Sequence, residues 1–114
     1  MVESKKKVFL LGSEGCGAGD PDLGYEIMTV VLGALAGRED RPAAIVCWNT
    51  AVKLLAEGSP LVPQIKALEE KGTKVLAGQL CVHALGLDGK LAAGEVATLG
   101  QIFDLILHED VVSL

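Results

Sequence analysis

Apolar residues fall in short unbroken runs along this chain, and the stretches between them carry apolar residues every three or four positions. Val8-Phe9-Leu10-Leu11 is the first run and stops at Gly12. Ala43-Ala44-Ile45-Val46-Cys47-Trp48 follows Pro42 and stops at Asn49. Thr73-Lys74-Val75-Leu76-Ala77 is the third, and Val111-Val112-Ser113-Leu114 closes the chain. Runs without polar alternation suit strands covered on both faces, as in parallel sheets. Gly94-Glu95-Val96-Ala97 adds a short candidate strand.

The intervening segments read as helices. Asp20 before Pro21 makes a helix start, with Asp as cap and Pro at the first helical position. From Pro21 to Ala36, Leu23, Ile27, Met28, Val30, Val31, Leu32 and Leu35 lie nearly all round, and Gly37 ends the helix. A helix apolar on every side is expected to be covered on more than one face, which in so small a domain points to a subunit interface. Asn49 or Thr50 is expected to cap a short helical piece, Ala51 to Ala56. Leu61 to Lys71 carries Leu61, Ile65 and Leu68 on one stripe, with Gly72 just past its end. A short helix follows Ala77 and closes at Gly86. Thr98-Leu99-Gly100-Gln101 has the form of a capping box and opens a helix to Glu109, with Leu99, Ile102, Phe103, Ile106 and Leu107 inward. Strands alternating with helices predict an α/β domain with a mostly parallel sheet of about five strands and right-handed crossovers. At 114 residues there is room for one domain, spanning 1–114, with 1–6 as a flexible lead-in.

Composition narrows the functional classes. Half of the residues are hydrophobic, mean hydropathy is +0.42, and aromatics are only 4%, so the core is aliphatic and disorder is excluded as a description. The charge-free run Ile27 to Gly37 is far short of the roughly 20 residues a membrane span needs, so no membrane partner is expected. Lys5-Lys6-Lys7 and the apolar run after it are too short for a signal peptide and read as a solvated lead-in to a strand. A net charge of −5 argues against nucleic acid as a partner. Cys16, Cys47 and Cys81 are odd in number and form no CxxC pair, and His83 and His108 are not spaced with them as zinc ligands would be, so no metal is expected. Free thiols suit the reducing cytoplasm.

Candidate chemistry gathers at one edge. In open α/β sheets ligands sit at the carboxyl ends of strands. Three loops leave that edge: Gly12–Asp20, Asn49–Thr50 and Gly78–Cys81. Cys81 stands where a strand gives way to a helix, where backbone N–H groups and the helix dipole favour a thiolate. Cys16 lies in the glycine-rich loop and is a candidate second thiol. Cys47, inside an apolar strand, reads as a small buried hydrophobe. Gly15, Gly17, Asn49, Gly78 and Gln79 are the expected pocket residues. His83 is two residues from Cys81, on another helix face, so no Cys–His pair is expected. The glycine-rich loop departs from a P-loop, since Ala18-Gly19 stand where Lys-Ser/Thr should be, and Glu14 and Asp20 oppose phosphate. No cofactor is expected.

Several motifs together resemble the DsrE-like domain of YedF-type proteins. They are Ser13-Glu14-Gly15-Cys16-Gly17-Ala18-Gly19-Asp20 with Leu23-Gly24, Trp48-Asn49-Thr50-Ala51-Val52-Lys53-Leu54 with Glu57-Gly58-Ser59, and Cys81-Val82-His83-Ala84-Leu85-Gly86-Leu87 with Leu91-Ala92-Ala93-Gly94-Glu95-Val96. The resemblance covers Val8 to Leu114. It implies a DsrE-like, flavodoxin-like three-layer sandwich and frequent homo-oligomers. It also implies a sulfur-relay role in which a cysteine at the Cys81 position carries sulfur as a persulfide between donor and acceptor proteins, with a link to selenium metabolism. Two features depart from the family. The 114 residues hold no SirA/TusA-like segment with its Cys-Pro motif, and Gly78 stands where some members have a cysteine three residues ahead of the main one. Two other readings stay open: a non-enzymatic oligomeric binding module with a pocket at the sheet edge, and a flavin- or nucleotide-binding domain of flavodoxin type.

Overall fold

A computed structural model describes residues 6–114. The part of the lead-in at 1–5 lies outside the described residues. Strand β1 (Lys7–Leu11) leads through the glycine-rich loop to helix α1 (Pro21–Ala36). Strand β2 (Ala44–Cys47) is followed by a 3₁₀ helix, Asn49–Leu55, and by α2 (Val62–Glu70). Then come β3 (Lys74–Gly78), α3 (Gln79–Ala84), β4 (Glu95–Ala97), α4 (Leu99–Ile106) and β5 (Asp110–Ser113). The five strands form one all-parallel sheet in the order β4-β3-β2-β1-β5.

Alternate residues of each strand feed two cores. On one face Leu11, Ile45, Cys47, Val75 and Ala77 pack with Met28 and Leu32 of α1, Ile65 and Leu68 of α2, and Val82 of α3. On the other, Val8, Ala44, Val46, Leu76 and Ala97 pack with Ile102 of α4. This division follows from handedness. The chain steps from β1 to β4 in one direction across the sheet, which puts the first three crossovers on one face. It then returns to β5 beyond β1, which puts α4 on the opposite face. The result is a three-layer sandwich.

Local signals work largely as the sequence predicts. Asp20 accepts hydrogen bonds from Asp22 N–H and Leu23 N–H. Thr98 Oγ1 accepts from Gln101 N–H while Gln101 Oε1 accepts from Thr98 N–H, which completes the capping box. Thr98→Ala is expected to cost about 1 kcal/mol. Chemical denaturation at constant m-value checks it, and an unchanged midpoint contradicts it.

Helix α4 turns fewer residues inward than its sequence implies. The helix stops at Ile106, and only Ile102 is buried, with Ile106 half-buried. Leu99, Phe103 and Leu107 face outward. A single helix lying over one face of a sheet covers with one stripe, here Ile102 with Leu105 and Ile106, while Leu99, Phe103 and Leu107 form the neighbouring i, i+4 stripe along its flank. Nor does the side chain of Asn49 or Thr50 cap the helical piece after β2, which begins at Asn49 itself with no side-chain cap. Helix α1 buries Gly24, Met28 and Leu32 but leaves Leu23, Ile27 and Val30 exposed.

Candidate functional site

The sheet has a crevice dictated by its topology. Helix α3 leaves β3 toward one face, and α4 leaves the neighbouring β4 toward the other. Where neighbouring strands send their chains to opposite faces, a gap opens at their carboxyl ends. Gly78 ends β3 at that gap, and Cys81 follows as the third residue of α3, which begins two residues earlier than Cys81 itself. The thiol is half-buried, packed against the core at its base.

The other wall comes from the end of β2. Trp48 N–H donates to Leu11 O, which holds the chain against β1. Asn49 then takes a left-handed backbone, φ 52°, and is the non-glycine residue with positive φ among the described residues. Asn tolerates that conformation better than most residues. The turn aims Asn49 N–H at Cys81 Sγ, 3.0 Å away. Gly78 sits under the pair. A Cβ there would lie 3.5 Å from both Cys81 Sγ and Trp48 Cβ.

Two recesses flank the sulfur. One, of about 410 Å³, is lined by Trp48, Asn49, Leu80, Cys81, Ala84 and Leu85. The other, of about 230 Å³, lies in the crevice itself, where Gly78, Gln79, Ala97, Leu99 and Ile102 join Trp48, Leu80 and Cys81. Asn49, Gly78, Gln79 and Cys81 therefore come together. Gly15 and Gly17 line a separate cavity of about 430 Å³ with Glu14, Asp20, Asp22 and Thr50.

Cys16 does not line either recess beside Cys81. Its N–H donates to Gly24 O at 3.0 Å, and its Sγ turns inward to 3.7 Å from Met28 Sδ. The loop is drawn onto α1 because neither Gly15 nor Gly24 has a side chain. A Cβ on Gly15 would lie 3.0 Å from Gly24 C. Burial pushes the Cys16 thiol up from its ordinary value. All three cysteines are free. The three are expected to alkylate in the order Cys81, Cys16, Cys47, since reaction needs an accessible thiolate. Timed peptide mapping with iodoacetamide checks this order, and Cys47 reacting before Cys81 contradicts it.

Cys47 is the buried hydrophobe its strand implied, and burial pushes its thiol up from 9.0 to about 12. The unfolded chain releases this proton near pH 9, while burial holds it on the folded chain to about pH 12. Above the unfolded value the unfolded state binds fewer protons, so stability falls as pH rises through that window, by about 1.4 kcal/mol per pH unit. Below it the contribution is intact. Cys47→Ala is expected to flatten the fall in stability across the alkaline window. Parallel slopes for the two proteins in urea titrations contradict this.

His83 lines neither recess beside the thiol and pairs with Asp88, Nδ1 to Oδ2 at 3.2 Å, with both side chains exposed. Sequence reasoning missed Trp48, Leu80, Leu85 and Leu99 as walls. The one local signal was a leucine directly before the candidate thiol in a segment with little apolar periodicity.

No family model matches the chain, and no curated protein matches it. Solved structures do resemble it. The YchN protein from E. coli superposes with a TM-score of 0.73 at 16% identity, covering 96% of this chain and 99% of that one. Protein MTH1491 of unknown function from Methanobacterium thermoautotrophicum gives 0.69 at 17% identity, over 97% and 100%. The conserved protein of unknown function BT1422 from Bacteroides thetaiotaomicron gives 0.66 at 19%, over 96% and 95%. At such identities the likeness is one of fold. The fold is the three-layer α/β sandwich on a parallel five-stranded sheet expected from the sequence. Among the described residues no helix is long and apolar enough to cross a membrane.

Proposed function

We propose that this chain is a sulfurtransferase-like sulfur-relay protein, akin to the DsrE-like domain of YedF-type proteins, with Cys81 as the sulfur-bearing residue. One observation carries the reading: Cys81 Sγ stands at the switch-point crevice and accepts the N–H of a left-handed Asn49 at 3.0 Å. A non-glycine residue held in left-handed backbone beside a candidate nucleophile supports a functional-site reading.

The chemistry is a pair of exchanges. The Cys81 thiolate attacks the outer sulfur of a donor R–S–SH. A new S–S bond forms to Cys81, the donor S–S bond breaks, and R–S⁻ leaves. An acceptor thiolate then attacks the outer sulfur of Cys81–S–SH and returns Cys81 to the thiolate. Sulfane sulfur moves, and no external oxidant or reductant is required. Asn49 N–H is placed to hold the sulfur at each stage. The donor and acceptor are thiol-bearing proteins or molecules of the reducing cytoplasm, and selenium could take the place of sulfur. Cys16, turned onto Met28, acts as a second thiol only if its loop swings outward.

The test is a two-step transfer. The protein is loaded with a persulfide donor, freed of it, and given an acceptor thiol. The acceptor is expected to gain sulfur in proportion to loaded protein. Retention of all sulfur on the protein, or no loading, contradicts the reading.

A second reading, an oligomeric binding module, draws on α1. Leu23, Ile27 and Val30 are exposed and border an apolar hollow of about 670 Å³. A patch of this kind marks an interaction surface. Light scattering that gives a monomer mass removes that support.

A further inference from the structure

We infer that the Cys81 site selects uncharged, apolar thiols and persulfides of low molecular weight and discriminates against anionic ones. The inference rests on the carrier reading only for the word persulfide.

Neither recess beside Sγ is lined by an Asp, Glu, Lys or Arg among the described residues. The lining is aliphatic and aromatic, with Asn49 and Gln79 as its polar members. A carboxylate or sulfonate carried into it would lose water and find no counter-charge, which is costly. Lys53, on the 3₁₀ helix behind Asn49, is exposed but lines neither recess. The neighbouring loop cavity adds an opposing field. It holds Glu14, Asp20 and Asp22, and it reaches Thr50, the residue after Asn49. The whole chain carries −5. Anions are therefore disfavoured both on approach and on contact.

Apolar groups meet the opposite situation. Leu80 is 79% exposed and Leu99 59%, yet both border the recesses. An alkyl or aryl arm laid beside Cys81 covers them. The recesses, about 410 and 230 Å³, are of small-ligand size. Leu80, Trp48 and Cys81 border both, so the arm of R–S–SH can lie in one while the attacked outer sulfur faces Sγ.

Matched alkylating pairs test this without requiring sulfur transfer. Iodoacetamide is compared with iodoacetate, and N-phenylmaleimide with its carboxyphenyl analogue. Rates are read at the Cys81 peptide and divided by those of a free cysteine amide. The neutral reagent is expected to be favoured by about tenfold beyond the free thiol. Leu80→Lys, at an exposed position, is expected to erase or reverse the preference, and Leu99→Lys to reduce it. A ratio equal to that of the free thiol overturns the inference, as does a preference untouched by both lysines. Failure of persulfide transfer with this selectivity intact removes only the carrier reading. Transfer without selectivity removes only this inference.

Discussion

Cys81→Ser is expected to abolish sulfur loading. The variant should fold, because a hydroxyl replaces a thiol at a half-buried position where one N–H donor is already in place. A serine oxygen is not a thiolate and cannot form the S–S bond on which storage depends. Intact mass after exposure to a persulfide donor should show one added sulfur on the parent protein and none on the variant. Cys47→Ala should still load, since Cys47 is sealed in the sheet. Cys16→Ser should also gain sulfur, and slower release from it would give Cys16 a resolving role. Loading of Cys81→Ser to the parent level contradicts the assignment.

Gly94→Val is expected to have the largest effect on stability. Gly94 has φ 73°, and a Cβ there would lie 3.1 Å from Leu55 Cδ1 and 3.3 Å from both Val75 Cγ1 and Val75 O. Its N–H also donates to Glu69 Oε1 at 3.1 Å. A β-branched residue in left-handed backbone costs roughly 1–2 kcal/mol, and displacing a packed core roughly 1–3 more. The sum, about 2–5 kcal/mol, is a large share of the total stability of a small domain. It should lower the melting midpoint by about 10–20 °C. Gly58→Ala separates the two causes. Gly58 has φ 88° with nothing near the Cβ position, so only the backbone cost applies. Equal losses at the two positions would contradict the steric part.

Asp20, the Thr98–Gln101 box and the glycines closing α2 and α3 act within a few residues, so their roles are legible from order alone. The unbroken runs at β1, β2 and β3 likewise reveal strands covered on both faces, and with them the buried state of Cys47. Alternation of strand and helix then gives the parallel sheet. Position after β3 placed Cys81 at the edge.

What was not legible depends on partners distant in the chain. Leu99, Phe103 and Leu107 look like core because apolarity alone does not say which stripe of α4 meets the sheet. Cys16 looks accessible in a loop of glycines, but contact between Gly15 and Gly24 turns it onto Met28. Asn49 looks like a cap, while its role is in backbone geometry: a left-handed turn directs its N–H at a sulfur thirty-two positions away. The apolar walls beside Cys81 draw on the end of β2, on α3, on β4 and on α4, and no single segment announces them.

The most direct test of Cys81 as sulfur carrier is site-resolved. Unmodified protein is treated with a persulfide donor, its free and persulfide sulfurs are trapped by alkylation, and the peptides are mapped. The added sulfur should reside on the peptide bearing Cys81, with the Cys16 and Cys47 peptides unchanged. Sulfur on the Cys16 peptide alone, or on none of the three, would contradict the account.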